Sequence, residues 1–301
     1  MASVLTWHPS LKKTFKGCEQ WWESSMVQRD KLGTELARLE KDLQQAGRFR
    51  TDASTLHLIA QAYAMRACLL SAGGETERLA EPLRWSVAFR ALDFLKTASR
   101  SLPIADAQPL ISLWSSMAAV GPTMLSDWER GRACASYLID VAHKDMRLHT
   151  PETRRAGWGK GTNDAFLIGL FSDAYALPTH YQSVEPMVEP LARLLAVWRT
   201  VEMNEFQQAM CAAADYHVSR SKDGTDRNKY EFEKSFDRVY PGELLAVQAL
   251  RRRDGLPEFQ AGHLLVDTPW SIVRDLPKSE PHPLELAVEE RLRQDEPDFR
   301  G

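Results

Sequence analysis

The stretch that decides the fold is TDASTLHLIAQAYAMRACLLSAGG, residues 51–74. Its larger apolar residues recur three and four positions apart, which is the spacing along one face of an α-helix. Alanines between them allow a neighbouring helix to approach closely, and Gly73 and Gly74 end the pattern. The segment therefore predicts a helix that packs in an antiparallel hairpin. The residues that carry the period are Ala53, Leu56, Ala60, Tyr63, Ala67 and Leu70.

The same helical period covers most of the remaining chain, and almost no segment alternates with the period of two that a strand requires. Short connections between such segments favour antiparallel neighbours. We therefore predict an all-α protein of stacked antiparallel helical hairpins, a helical-repeat-like bundle that forms a single domain over residues 1–301. Further segments with this period are 80–102, 110–120, 126–142, 164–176, 185–201, 202–219 and 240–254.

Four parts of the chain depart from the hairpin pattern. Residues 15–46 carry one apolar stripe, which predicts a long first helix of about 45 Å that would bend, if anywhere, at Gly33. The polar stretches 144–163 and 219–237 are predicted to be exposed loops, with the alternative that the first is a loop around one short helix. Residues 256–301 contain six prolines, which predict a Pro-rich C-terminal strap with one short helix at 283–294. Elsewhere, Ser126 and Glu129 fit a capping box at the start of a helix.

Composition narrows the class of protein. The 301 residues are 44% hydrophobic and 26% charged, as in soluble globular proteins. No apolar run reaches the length of a membrane span or of a secretory signal. The net charge of −3 offers no basic face for nucleic acid. We therefore expect a cytoplasmic protein whose partners include neither nucleic acid nor membrane. Its scattered cysteines are expected to be reduced core residues: Cys18, Cys68, Cys134 and Cys211.

The sequence contains no recognisable catalytic or metal motif. No HExxH, Cys-x-x-Cys or Gly-x-Ser-x-Gly pattern occurs. His57 and His217 lie beside apolar stripes and are interpreted as packed helix residues. Residues 157–162, GWGKGT, resemble a phosphate-binding loop, but Gly161 separates the lysine from the threonine and no buried strand precedes them. We predict no catalytic residue, no metal and no cofactor.

The two predicted loops are the best candidates for a protein interface. In the first, Trp158 lies among basic residues, a combination that is typical of interface anchors; the alternative is that Trp158 folds back onto the core. The second loop is rich in charge. The predicted partner-binding residues are Arg154, Arg155, Trp158, Lys160, Lys222, Asp226 and Arg227.

The C-terminal end is acidic. Residues 280–298 contain seven acids and two arginines. This segment is interpreted as a solubilising tail, as a surface for a basic partner, or as a segment that docks on the basic residues 144–160 of the same molecule.

The C-terminal third resembles a known family. It contains YPGELLA at 240–246, then Arg251, GLP at 255–257, and HLLVDTP at 263–269. These short motifs, together with the Ala-rich hairpins of the first half, resemble bacterial immunity protein 49. The family pattern has His-Pro-Leu where this chain has His263, Leu264 and Leu265, so the second residue departs from it.

The resemblance implies an all-helical cytoplasmic immunity protein without catalytic activity. Such a protein binds and neutralises a cognate toxin domain that is encoded nearby, and the family supplies no catalytic residues to transfer. Two other hypotheses stay open: a helical-repeat scaffold that binds a peptide or protein partner, and a helical enzyme whose site no motif reveals. The toxin's chemistry and the oligomeric state are left open, since Trp21 and Trp22 would also suit a homodimer.

Overall fold

The computed structural model describes residues 5–27, 29–51, 54–106, 115–154, 160–225 and 228–301. Over these ranges the chain is all-α, as predicted, with fifteen α-helices and no strand. The helices are α1 (Lys12–Trp22), α2 (Lys31–Gln44), α3 (Thr55–Ala72), α4 (Ala80–Ser101), α5 (Ser115–Ala119), α6 (Gly121–Met124), α7 (Trp128–Leu148), α8 (Pro151–Arg154), α9 (Asn163–Tyr175), α10 (Glu189–Val197), α11 (Met203–Arg220), α12 (Ser235–Val239), α13 (Gly242–Arg253), α14 (Leu264–Val273) and α15 (Pro283–Asp295).

Helices α3 and α4 form the largest helix–helix contact in the described ranges, and α10 and α11 form the next largest. The small residues of α3 are buried against their neighbours, as the opening stretch predicts; Ala60 and Ala67 are at most 1% exposed. Helix α13 is buried on all sides and lies against α6 and α14. Among the helices in the described ranges, none is long and apolar enough to cross a lipid bilayer.

The prediction of one continuous helix over residues 15–46 is wrong. Helix α1 ends at Trp22, a π-helical turn covers Glu23–Val27, and Asp30 adopts a left-handed φ of 42° before α2 begins. The hydroxyl of Ser24 donates to the Trp21 carbonyl, which illustrates how serine side chains compete with regular helix bonds. The break precedes Gly33, which lies inside α2. The apolar stripe continues across it because α1 and α2 both pack on α3.

The boundaries of both predicted loops also change. Helix α7 is capped by the Asp127 carboxylate, which accepts from Arg130 N, while the expected cap, Ser126, has a left-handed φ of 62°. The helix continues to Leu148, so Lys144 is not in a loop. Its side chain is buried and its ammonium donates to the carbonyls of Ser101 and Ile104. Similarly, the end of the 219–237 segment belongs to α12, which begins at Ser235. The side chains at both boundaries bond with partners distant in sequence, which a local pattern does not show.

The C-terminal segment 256–301 contains two helices, α14 and α15, where one was predicted. Pro269 is tolerated inside α14. Helix α15 begins, as predicted, at Pro283, where His282 forms a capping box with Glu285. The His282 ring also lies among Tyr63, Trp85 and Phe89, which fixes the start of α15 on α3 and α4.

The acidic end docks on its own molecule, on arginines outside residues 144–160. Arg130 of α7 donates to Glu285 at 2.6 Å and to Glu289 at 2.8 Å. Arg48 and Arg100 both donate to Glu296. These carboxylates are mostly buried, so the charge that suggested a solvated tail forms ion pairs that attach α15 to the body of the protein.

The four cysteines are free thiols. Cys18, Cys68 and Cys134 are buried, as expected for core residues, and Cys211 is partly exposed.

We predict that Arg130→Met destabilises the protein by about 3 kcal/mol, because it leaves the buried carboxylate of Glu285 without its cation and leaves Glu289 with Arg293 alone. Chemical unfolding at pH 7.5 measures the change. Adding Glu285→Gln and Glu289→Gln to the same chain should recover most of the loss. Arg78→Met is the matched control, because its ion pair with Glu75 is exposed and should be worth less than about 0.5 kcal/mol. Equal effects of the two arginine substitutions would contradict this account of the α15 contact.

Candidate functional site

The structure places the predicted partner-binding residues in different environments. Arg154 is buried: its guanidinium donates to Asp145 and to the carbonyl of Gln182, so its charge is used inside the fold. Lys160 is half-buried. Lys222 is exposed and its ammonium lies 5.8 Å from the centre of the Tyr230 ring. The others lie outside the described residues: Arg155, Trp158, Asp226 and Arg227.

The glycine-rich segment is anchored to the chain that follows α9. Gly161 has a left-handed φ of 67°, and its carbonyl accepts from Val188 N at 2.8 Å. A Cβ at this position would clash with the carbonyl oxygen of Pro186. Gly161 is therefore explained by backbone packing.

Several of the residues that carry the family resemblance have structural roles inside the fold. The Tyr240 hydroxyl bonds with Ser71 Oγ, and Glu243 Oε1 lies 2.5 Å from His217 Nδ1. Arg251 is fully buried and donates to three backbone carbonyls. The Asp267 carboxylate accepts from the backbone N–H groups of residues 261–263. These motif residues therefore stabilise the fold. The interpretation of His217 as a packed residue is confirmed.

A cleft of about 670 Å³ opens between α1, α3, α4 and the segment that leads into α12. Its volume is in the range of natural ligand sites. Apolar side chains of α3 and α4 form part of the wall, and charged side chains surround them. The end of the predicted 219–237 loop forms one side. The lining residues are Gly17, Trp21, His57, Gln61, Ala64, Met65, Arg90, Asp93, Phe94, Thr97, Ser115, Ala118, Glu233, Lys234, Ser235, Phe236 and Asp237.

Two of the charges in the cleft are already paired. Arg90 donates through both terminal nitrogens to Asp237, at 2.8 and 3.2 Å, and its guanidinium lies 5.0 Å from the centre of the Phe236 ring. The Asp237 side chain is only 3% exposed. This bidentate ion pair fixes α12 on α4 and leaves neither charge available to a ligand.

Asp93 is the carboxylate of the cleft for which the structure describes no partner. It lies one turn beyond Arg90 on α4, is half-buried, and makes no hydrogen bond or salt bridge with another described residue. Burial raises the pKa of Asp93 to about 6, against a smaller opposing effect of Lys96. An ionised carboxylate here lacks full hydration, and Lys96 offsets only part of that cost, which is the condition that a bound cation relieves.

His57 lies at the mouth of the cleft. Its side chain is exposed, which differs from the expected packed histidine. Partial burial lowers the pKa of His57, and the nearby Lys234 and Arg90 lower it further. The imidazole is therefore neutral at pH 7 and adds no positive charge to the cleft.

No group of three or more His, Cys, Asp or Glu side chains in the described ranges is arranged to hold a metal ion. Comparisons with protein-family models, with curated proteins and with solved structures find no match for this chain. The candidate site therefore rests on the geometry of the cleft.

Sequence reasoning did not single out Asp93. Arg90, Asp93, Phe94 and Thr97 follow one another at helical spacing, and this spacing was the only signal that they share a face. The pairing of Arg90 with Asp237 joins residues 147 positions apart. No local pattern could therefore indicate that Asp93 would be the carboxylate left without a described cation.

We predict that Gly161→Ala destabilises the protein by about 3 kcal/mol, from the left-handed backbone and the contact with Pro186. Gly255→Ala is the matched control: Gly255 has a φ of 68°, but a Cβ there would meet no neighbouring group within 4 Å. It should cost about 1 kcal/mol. Chemical unfolding of both variants measures the difference, and equal losses would show that the Pro186 contact has no effect.

We predict that Asp93→Asn stabilises the free protein at pH 7.5 by about 1–2 kcal/mol, allowing for partial solvent screening. The folded state holds the Asp93 proton to about pH 6, whereas the unfolded chain releases it near pH 3.8. Wild-type stability therefore falls as pH rises through this window, and the advantage of Asp93→Asn should vanish at about pH 4. Urea unfolding at both pH values measures it. A less stable Asp93→Asn protein at pH 7.5 would show that the carboxylate has a stabilising partner.

Proposed function

We propose that this chain is a non-catalytic immunity protein that acts in the cytoplasm and neutralises a cognate toxin, encoded nearby, by binding it. The observation that carries the proposal is the open cleft with its carboxylate, Asp93, which forms no ion pair or hydrogen bond with a described residue. The cleft is bordered by the segment 219–237, which the sequence predicts to be an interface loop. The resemblance to immunity protein 49 supplies the biological role, and one of its motif residues, Tyr240, bonds with Ser71 of α3, a helix that forms a wall of the cleft.

The surface beside the cleft suits a protein partner. Lys222 and Lys234 are exposed, and the exposed Asp223 carboxylate pairs with Lys13 of α1 and with Arg238 of α12. Exposed charges next to a cleft can pair with the opposite charges of a protein partner, which gives an interface its specificity. The same features would serve a scaffold that binds a peptide, so the test must address neutralisation directly.

The test is co-expression with the product of the adjacent gene in a heterologous host. The neighbour should arrest growth when expressed alone, and this chain should restore growth and form a stable complex with it. Lys222→Glu should weaken the complex at least tenfold in titration calorimetry. Lys278→Glu is the matched control, because Lys278 is exposed on the C-terminal segment, outside the cleft lining.

A neighbour that is harmless, or toxic whether or not this chain is present, would contradict the proposal. The scaffold and enzyme hypotheses would then take its place.

A further inference from the structure

We infer that the cleft receives one basic side chain of the bound partner, whose guanidinium or ammonium group pairs with Asp93. This inference rests on the proposed function, because it takes the partner to be a protein. It adds the chemistry of the contact: a single basic side chain enters between α3, α4 and the segment before α12.

The charges around the cleft favour a cation. Arg90 and Asp237 neutralise each other through a bidentate pair, and Lys234 lies 3.6 Å from Glu233. Asp93 then remains as the charge without a partner among the described lining residues. An anionic ligand would approach this carboxylate and find no free guanidinium, whereas a cation would form its first ion pair.

Other titratable groups around Asp93 do not change this sign. His57, on α3, is neutral at pH 7 because partial burial and nearby cations lower its pKa. Lys96, on the same helix as Asp93, is only 6% exposed and lowers the pKa of Asp93, but by less than burial raises it. From the segment before α12, Glu233 adds a further negative charge.

The walls suit the hydrocarbon part of such a side chain. Trp21, Met65 and Phe94 line the cleft from α1, α3 and α4. Long basic side chains bury their methylene groups on apolar surface while the charged end reaches a polar partner. Aromatic faces also attract guanidinium and ammonium groups. A cation that pairs with Asp93 would form charge-assisted hydrogen bonds with this carboxylate. These bonds would offset the free-energy cost of burying the ionised form.

The test titrates the free protein with N-acetyl-arginine amide, and with the uncharged isostere N-acetyl-citrulline amide, at pH 7.5 by NMR. We expect the arginine probe to bind with a Kd on the order of 1–10 mM, as a single contact allows, and the citrulline probe to bind at least fivefold more weakly. Asp93→Asn should weaken binding of the arginine probe by at least fivefold. Glu129→Gln removes an exposed carboxylate on α7, outside the cleft lining, and should bind like the wild type.

Lowering the pH from 7.5 to 5 should weaken binding of the arginine probe, because protonation of Asp93 removes its charge. Equal binding of the two probes, or unchanged binding by a folded Asp93→Asn protein, would overturn the inference. Circular dichroism checks that the variant is folded.

The two proposals fail separately. If Asp93→Asn binds the toxin as tightly as the wild type does, the inference is wrong while the proposed function stands. If the arginine probe binds through Asp93 but no toxin is neutralised, the proposed function is wrong while the chemistry of the cleft stands.

Discussion

The rest of the structure depends on the burial of α13. From Gly242 to Arg251 this helix has no exposed face, so its polar side chains must find partners inside the protein. Glu243 meets His217 of α11, and Gln248 donates to the carbonyl of Phe259. Arg251 donates to carbonyls that follow α10 and precede α14, and its guanidinium contacts the rings of Phe206 and Phe259. One helix thereby fixes the positions of α10, α11 and the chain that leads to α14.

Asp93 contrasts with this arrangement. Glu285 of α15 pairs with Arg130 of α7, and Glu296, the residue after α15, pairs with Arg48 and Arg100. Asp237 pairs with Arg90. Asp93 lies on the same helix as Arg90 and is half-buried, yet no described residue pairs with it. A group held in an unfavourable environment lowers the stability of the free protein, and such groups persist at sites where function requires them. This is the physical basis of our proposal that the cleft binds a partner.

The helical period was sufficient to predict the all-α class and the positions of most helices, because a 3.6-residue spacing is a local property. It failed at residues 23–30, where the apolar stripe continues but the backbone breaks. It also failed at Lys144, because the carbonyls that bury this ammonium belong to residues 40 or more positions away. Counting acids in residues 280–298 could not show which arginines would pair with them. The sequence did not predict the cleft for the same reason, because its walls come from segments distant in sequence.

The most direct measurement of the central claim is the ionisation of Asp93 itself. Carbon-13 NMR of the labelled side-chain carboxyl, assigned with Asp93→Asn, would follow its titration in the free protein and with N-acetyl-arginine amide at saturation. The account predicts an apparent pKa of about 6 in the free protein, and a lower value when the probe is bound, because the cation favours the ionised form. A pKa of about 4 in the free protein, the ordinary value for an aspartate, unchanged by the probe, would show that Asp93 is already solvated or paired and would contradict the account.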